Sequence, residues 1–337
     1  MIVLGIESSC DETAIAIIKN NEILSHIVLS QIDIHKQFGG VIPELAARSH
    51  LDVIDSLIKE AVTQAKITLE DIDVFCATSG PGLAGGLIIG ALAAKTLSFV
   101  YNKPFVAVNH LQGHALIPTM SNNVKFPFLL LLVSGGHTQF LAVNGVNDYK
   151  ILGSTIDDAI GEAFDKSARL MGLPYPGGRE IEALARYGDK DKYKFPIPLK
   201  GQKNCNFSFS GLKTAVRDTL VNLEITEQVK KDISASLQHT IIKVLLNRSK
   251  HAIEMFEAEY GKLNSFVISG GVSANMTIRE AMEDFLKKKN IELVCPPLEL
   301  CTDNGVMIAW AGLKRAELGL FDNLDFPIKV RWSLEDL

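Results

Sequence analysis

Ile2-Val3-Leu4-Gly5-Ile6-Glu7-Ser8-Ser9-Cys10-Asp11-Glu12-Thr13-Ala14-Ile15-Ala16-Ile17-Ile18 is the stretch whose reading decides the fold. Two short apolar runs, Ile2 to Ile6 and Ala14 to Ile18, flank a loop of small and polar residues. Apolar runs of this length bounded by turn residues predict buried strands, and Asn20-Asn21 marks the next turn. The chain thus opens as strand, polar loop, strand. The pattern returns at Phe126 to Val133, Ser134-Gly135-Gly136-His137-Thr138 and Gln139 to Val143, with Thr138 in the place of Thr13. A second device is duplicated as well. The strand Ile72 to Thr78 enters Ser79-Gly80-Pro81-Gly82-Leu83-Ala84-Gly85-Gly86 and a small-residue helix to Phe99. Later, Ser265 to Ser269 enters Gly270-Gly271-Val272-Ser273-Ala274-Asn275 and a helix through Phe285. Hairpin and Gly turn, twice in the same order, predict a duplicated α/β domain. A strand, a Gly-rich turn and a helix start also make an anion or nucleotide cradle, although the glycines equally serve close packing.

A chain of 337 residues is long enough for two domains. The division expected is 1–114 plus about 306–337, and 115–305 with an insertion near 173–230. Cys10, Cys76, Cys205, Cys295 and Cys301 are odd in number and contain no Cys-x-x-Cys pair. That argues for a reducing compartment and against a disulfide framework or zinc ribbon. The net charge of −5 supplies no global basic field for nucleic acid. The chain enters a strand at Ile2 with no basic or Arg-rich leader, and the apolar run from Leu87 to Val100 is broken by Gly90, Lys95, Thr96 and Ser98. The expectation is a cytoplasmic protein with no membrane segment.

The sharpest chemical signal is His110-Leu111-Gln112-Gly113-His114, after a short strand from Phe105 to Val108. A helix starting near Asn109 stacks the two imidazoles at i and i+4 on one face. That spacing suits two ligands of one transition metal, and it also arises with no metal at all. Leu111 stands where a zinc peptidase carries its general-base Glu, so a metal here has no built-in base for peptide hydrolysis. Asp11 and Glu12 lie at the tip of the opening loop, where solvated turn residues are the plain alternative. Ser154 or Thr155 caps a helix that Asp157 and Asp158 favour electrostatically and Gly172 ends, and Asp165 and Lys166 lie on it. Asp303, before the apolar helix Val306 to Leu313, reads as an N-cap. His50, on a helix begun by Pro43, and His239 and His251, on a helical region from Val229 to Tyr260, read as structural or exposed. Between Arg186 and Arg217 lie Lys190, Lys192, Lys194, Lys200, Lys203 and Lys213, interleaved with Tyr187, Tyr193, Phe195, Phe207 and Phe209. Cations that neutralise phosphate and aromatics that stack on bases make this the nucleic-acid candidate, against the alternative of a solvated loop.

Taken together, the motifs resemble the tRNA adenosine threonylcarbamoyltransferase family. They are Gly5-Ile6-Glu7-Ser8-Ser9-Cys10-Asp11-Glu12-Thr13, His110-x-x-x-His114, Leu132-Val133-Ser134-Gly135-Gly136-His137-Thr138, Gly161-Glu162-Ala163-Phe164-Asp165-Lys166, Tyr175-Pro176-Gly177-Gly178, Phe207-Ser208-Phe209-Ser210-Gly211, Gly270-Gly271-Val272-Ser273-Ala274-Asn275 and Cys301-Thr302-Asp303-Asn304-Gly305. The resemblance implies duplicated ribonuclease-H-like domains, as in actin, sugar kinases and heat-shock ATPases, around a central cleft. It implies threonylcarbamoyl-AMP and tRNA as substrates, the acceptor being the adenine amine beside the anticodon in tRNAs reading codons that begin with A. It makes His110, His114 and Asp303 ligands of one divalent metal, Fe(2+) or Zn(2+). It places Leu132, Val133, Ser134, Gly135, Gly136, Asp165, Gly178, Glu182 and Asn275 around the adenylate, and implies a catalytically inactive paralogue and a small ATPase as partners.

The implied chemistry is acyl transfer from a mixed anhydride to a weakly nucleophilic aromatic amine. It needs two ends held in line and charge stabilised on a departing phosphate. Asp11 or Glu12 is the candidate to assist loss of the amine proton, or to position only. Three rivals remain: a small-molecule kinase of the same superfamily, which leaves the paired histidines unexplained; a metallopeptidase, which Leu111 opposes; and a nucleotide-binding scaffold.

Overall fold

The computed structural model describes residues 1–221 and 223–337; Asn222, inside the expected insertion, lies outside the described residues. Two compact units emerge. One comprises Met1–Val124, Asn144–Tyr149 and Pro296–Leu337, and the other Lys125–Val143 and Lys150–Cys295. The division expected from sequence differs at both boundaries. Residues 115–124 and 296–305 go with the first unit, because the helix that starts at His110 continues to Ser121.

The first unit begins with β1 (Ile2–Glu7), β2 (Glu12–Lys19), β3 (Glu22–Ser30), α1 (Ile32–Lys36), α2 (Pro43–Ala65), β4 (Val74–Gly80), α3 (Ala84–Tyr101), β5 (Phe105–Asn109) and α4 (His110–Ser121). Next come β6 (Phe128–Val133), β7 (Thr138–Gly145), β8 (Asp148–Ser154), α5 (Ile160–Leu170), α6 (Gly177–Ala185), α7 (Ser210–Leu220), α8 (Glu227–Tyr260), β9 (Ser265–Ser269), α9 (Met276–Lys287) and β10 (Glu292–Val294). The chain returns to the first unit for α10 (Leu298–Cys301) and α11 (Gly305–Glu317).

Among the described residues the strands form two five-stranded sheets, ordered β3-β2-β1-β4-β5 and β10-β9-β6-β7-β8. In the first, β1 runs antiparallel to β2 and parallel to β4, which is parallel to β5. In the second, β6 runs antiparallel to β7 and parallel to β9, which is parallel to β10. The second sheet therefore repeats the first strand for strand, as the paired hairpins and Gly turns predict.

Why the strands read as unbroken apolar runs follows from the layers. Successive side chains on a strand point to opposite faces, and in the first unit both faces are covered. Leu4, Ile6, Ile15 and Ile17 pack with Ile54 and Leu57 of α2 and Ala91 and Ala94 of α3. Val3, Ala16 and Ile18 pack on the other side with Leu116 of α4 and Met307 and Trp310 of α11. With no wet face there is no alternation. By length and composition alone α3 could cross a bilayer, but Leu87, Gly90, Ala91 and Ala94 are buried within the unit.

Three expectations are corrected. The glycines after β4 build no anion cradle. A Cβ on Gly82 would lie 2.7 Å from Ser9 Cβ, and one on Gly86 2.2 Å from the Ser8 carbonyl oxygen, so they let α3 rest directly on the Ser8–Ser9 turn. Neither Ser154 nor Thr155 caps α5, whose N-cap is Ala159. Asp157 instead accepts from the Phe209 and Ser210 amides at 2.7 and 3.2 Å, at the start of α7. Burial opposes its charge, but these bonds and those from the Ser208 and Ser210 hydroxyls hold its carboxyl below the usual range. Finally, Phe195, Phe207 and Phe209 belong to the core of the second unit, with Phe140, Phe164 and Leu212. Phe207 stacks on Phe140 and Phe209 with centroids 5.0 and 5.8 Å apart. Of the interleaved aromatics only Tyr187 is exposed, and Tyr193 is half-buried; Phe195, Phe207 and Phe209 anchor the segment, and bases cannot stack on them.

Candidate metal centre

The centre is assembled from four pieces of the first unit. β5 passes into α4 with no intervening loop. Asn109 ends the strand and caps the helix, its Oδ1 accepting from the Leu111 amide at 2.9 Å. Its Nδ2 donates to the Trp332 carbonyl at 3.1 Å, so the C-terminal tail pins the helix start. His110 and His114 then fall one turn apart, both buried, with ring centroids 4.8 Å apart and planes at 88°.

Asp303 arrives on the approach to α11. That helix presses against β1 and β2 where side chains are missing. A Cβ on Gly5 would come within 2.4 Å of the Ala309 nitrogen, and one on Gly305 within 2.5 Å of the Ala16 nitrogen. The helix cap is Asn304, whose Oδ1 accepts from the Met307 amide at 2.9 Å. The capping role expected of Asp303 is therefore filled by its neighbour, and its carboxylate turns to the histidines. Asp303 Oδ1 lies 3.5 Å from His110 Nε2 and 3.1 Å from His114 Nε2.

One ligand atom from each of His110, His114 and Asp303 lies within 4.8 Å of the others. In a tetrahedral site with bonds of about 2.1 Å, neighbouring ligand atoms stand about 3.4 Å apart. The two Nε2–Oδ1 separations straddle that value. Both rings present Nε2 to the same oxygen, and two imidazoles with one carboxylate form a donor set for a single divalent ion.

The fourth piece is Glu7, the last residue of β1, which is fully buried. Its Oε1 accepts from the Ser9 amide at 2.6 Å, and its Oε2 accepts from Thr78 Oγ1 at 2.6 Å and from His110 Nδ1 at 3.0 Å. The sequence reading counts Glu7 as part of the polar loop. The available signal was a carboxylate ending an otherwise apolar strand. Electrostatically the pair is matched. Burial works against charge on His110, but Glu7 and Asp303 raise it to about 9, and His110 holds Glu7 below the usual carboxylate range against its own burial. A metal must displace that His110 proton. Affinity is therefore expected to rise up to tenfold per pH unit from pH 6 to 9 and level off above, with one proton released per ion bound. Calorimetric titration in buffers of different ionisation enthalpy measures this.

Nearby, Asp11 is buried and the half-buried Glu12 opens β2. Burial, then Asp303 and Asp11, push the Glu12 carboxyl well above its ordinary range. Thr13 Oγ1 lies 2.8 Å from His50 Nδ1, and His50 Nε2 donates to the Cys10 carbonyl at 3.0 Å, giving His50 the structural role expected of it. Thr138, its counterpart by position, instead accepts from the Ile160 amide at 2.9 Å.

The remaining candidates lie in the second unit. Leu132 and Val133 end β6 with buried side chains, and Ser134, Gly135 and Gly136 form the turn after it. No atom stands within 4 Å of where a Cβ would be on Gly135 or Gly136, so their backbone is open to a ligand. Asp165 Oδ1 accepts from the Gly177 amide at 2.7 Å, beside Gly178 at the start of α6. Glu182 Oε1 accepts from the Met276 amide at 2.9 Å. Asn275 caps α9 through Ile278 and donates to Gln238 Oε1 at 2.9 Å. These side chains already serve helix starts.

A duplicated sheet of this order is the fold of the actin, sugar-kinase and heat-shock ATPase class, and here it carries a buried His-His-carboxylate cluster. Solved structures agree on the fold. Component A of the (R)-2-hydroxyglutaryl-CoA dehydratase of Acidaminococcus fermentans superposes with a TM-score of 0.54 at 16% identity, covering 94% of this chain and 99% of that one. The ROK hexokinase of Thermus thermophilus gives 0.50 at 14%, covering 94% and 100%. Within that class the chain belongs to the tRNA N6-adenosine threonylcarbamoyltransferase family, whose profile matches residues 22–310. The protein of that name from Rickettsia rickettsii (strain Sheila Smith) is 52% identical over 340 residues, covering 99% of this chain and 98% of the relative.

Proposed function

We propose that this chain transfers the threonylcarbamoyl group of threonylcarbamoyl-AMP to the N6 amine of the adenosine beside the anticodon, in tRNAs reading codons that begin with A. The amine nitrogen bonds to the carbamoyl carbon, the bond from that carbon to the phosphate oxygen breaks, AMP leaves, and the amine loses a proton. The single observation that carries the reading is the buried His110–His114–Asp303 cluster in a chain of this family.

A bound divalent ion, Fe(2+) or Zn(2+) on this nitrogen and oxygen donor set, supplies Lewis-acid polarisation and a clamp for donor oxygens. His110, His114 and Asp303 hold it. The open backbone at Gly135 and Gly136 suits phosphate oxygens. Asp165, Glu182 and Asn275 serve as acceptors and donors for the nucleoside, with Leu132, Val133, Ser134 and Gly178 contributing backbone. The amine's proton goes to Asp11, beside Glu12, whose carboxyl is pushed well above its ordinary range by burial and by the neighbouring Asp303 and Asp11.

tRNA meets the lysines between Arg186 and Arg217, of which Lys190, Lys192, Lys194, Lys200 and Lys203 are exposed. The exposed apolar stripe of Leu51 on α2 and Ile88, Leu92, Phe99 and Val100 on α3 favours a protein partner, here the inactive paralogue, with the small ATPase completing the set. Reversing Lys192, Lys194 and Lys203 to Glu is expected to weaken tRNA binding at least tenfold and flatten its salt dependence while thermal stability holds. Unchanged binding in a filter or anisotropy assay removes the patch from the account.

The decisive assay incubates metal-loaded protein and its partners with tRNA and threonylcarbamoyl-AMP, then digests the tRNA to nucleosides. Modified adenosine and AMP in equal amounts are expected. ATP-dependent phosphorylation of a small molecule, with unmodified tRNA, contradicts the proposal.

A further inference from the structure

We infer that Glu7 is the positioning residue of the metal centre, holding the His110 proton on Nδ1 so that Nε2 presents its lone pair to the ion. The inference rests on the metal reading above and adds a residue that reading does not contain.

The geometry forces a choice of tautomer. His110 is flanked by acceptors on both sides, Asp303 Oδ1 at 3.5 Å from Nε2 and Glu7 Oε2 at 3.0 Å from Nδ1. A neutral imidazole has one proton, and only the form with the proton on Nδ1 leaves Nε2 able to ligate. In the neutral ring that can bind a metal, Asp303 draws that proton to the wrong nitrogen and Glu7 draws it to the right one. Glu7 has the closer approach, and its carboxylate does not wander. Its other bonds, from the Ser9 amide and the Thr78 hydroxyl, lock both oxygens in a fully buried position. Ser9 Oγ also lies 3.1 Å from His110 Nδ1, but a hydroxyl donates or accepts equally and selects neither tautomer. A carboxylate behind a metal-ligating histidine orients the ring and raises its basicity. His114 differs: its Nδ1 is buried with no hydrogen-bond partner among the described residues, so the control is built into one ring of the pair.

Glu7→Gln tests this with almost no change of shape. The Ser9 amide needs an oxygen opposite it, so the Gln oxygen faces Ser9 and its NH2 faces Thr78 and His110 Nδ1. Thr78 turns its hydroxyl to accept. His110 must then accept on Nδ1 and carry its proton on Nε2. Zinc affinity, measured by competition with a chromophoric chelator, is expected to fall 10- to 100-fold. In metal-free protein at alkaline pH, where the ring is neutral, 15N-resolved imidazole spectra are expected to place the His110 proton on Nδ1 in the wild type and on Nε2 in the variant. Thr78→Val, which loosens Glu7 but leaves its carboxylate on His110, is expected to lower zinc affinity less than Glu7→Gln does and to keep the His110 proton on Nδ1. Wild-type affinity in a folded Glu7→Gln protein overturns the inference, as does a wild-type His110 proton found on Nε2. The wild-type spectrum decides even if the variant does not fold. A wild type that binds no zinc, yet shows the proton on Nδ1, counts against the metal reading and leaves standing only that Glu7 sets the His110 tautomer.

Discussion

Replacing His114 with alanine is expected to cut threonylcarbamoyl transfer at least 100-fold. The imidazole is wholly buried and its Nε2 lies 3.1 Å from Asp303 Oδ1, so no other described side chain of the centre takes its place. Disturbing only the outer partner of a ligand costs 10- to 100-fold in metal affinity or activity, and deleting the ligand itself costs no less. Removing one preorganised electrostatic partner of a transition state costs about 10²–10³ in turnover. The loss is expected to mimic chelation: wild-type protein stripped of metal and His114→Ala should have the same residual rate. Alanine suits a helix interior, so α4 persists, which circular dichroism checks. A folded variant with wild-type turnover removes the centre from the chemistry.

The second large effect is on stability. Phe207→Ala is expected to cost about 3–5 kcal/mol. Phe207 is fully buried and stacks between Phe140 and Phe209, at 5.0 and 5.8 Å, so truncation opens a cavity that rigid rings cannot close. Its backbone amide also bonds to the Ser154 carbonyl at 3.1 Å, tying the segment to the end of β8. Urea denaturation followed by fluorescence of the second unit's tyrosines should show a lower midpoint. tRNA affinity of the folded fraction should be unchanged, the opposite of the lysine reversals. Weaker tRNA binding with unchanged stability would return Phe207 to the nucleic-acid surface.

That contrast marks where the sequence is readable and where it is not. The duplication is legible because strands covered on both faces leave continuous apolar runs, and because each hairpin and each Gly turn recurs in order. Glu22–Ser30 is harder, since as edge strand β3 it buries only Ser25 fully. β10 is three residues long, too short for any period. The imidazole pair is legible because i and i+4 lie on one helix. Asp303 joins it only through the resemblance, because long-range packing at Gly5 and Gly305 sets its position. Capping rules mislead at Asp157, whose helix begins at Ser210, far along the chain. Interleaved cations and aromatics mislead between Arg186 and Arg217 because a segment that must anchor itself alternates the same way as one that binds bases.

The most direct test of the central claim is the metal content of the purified protein, measured beside His110→Ala and Asp303→Ala. About one ion per chain in the wild type, lost from both variants, is the predicted result, because a three-member donor set does not survive the loss of a member. A full equivalent retained in both folded variants would contradict the account, placing the ion elsewhere and leaving the cluster a buried ion pair.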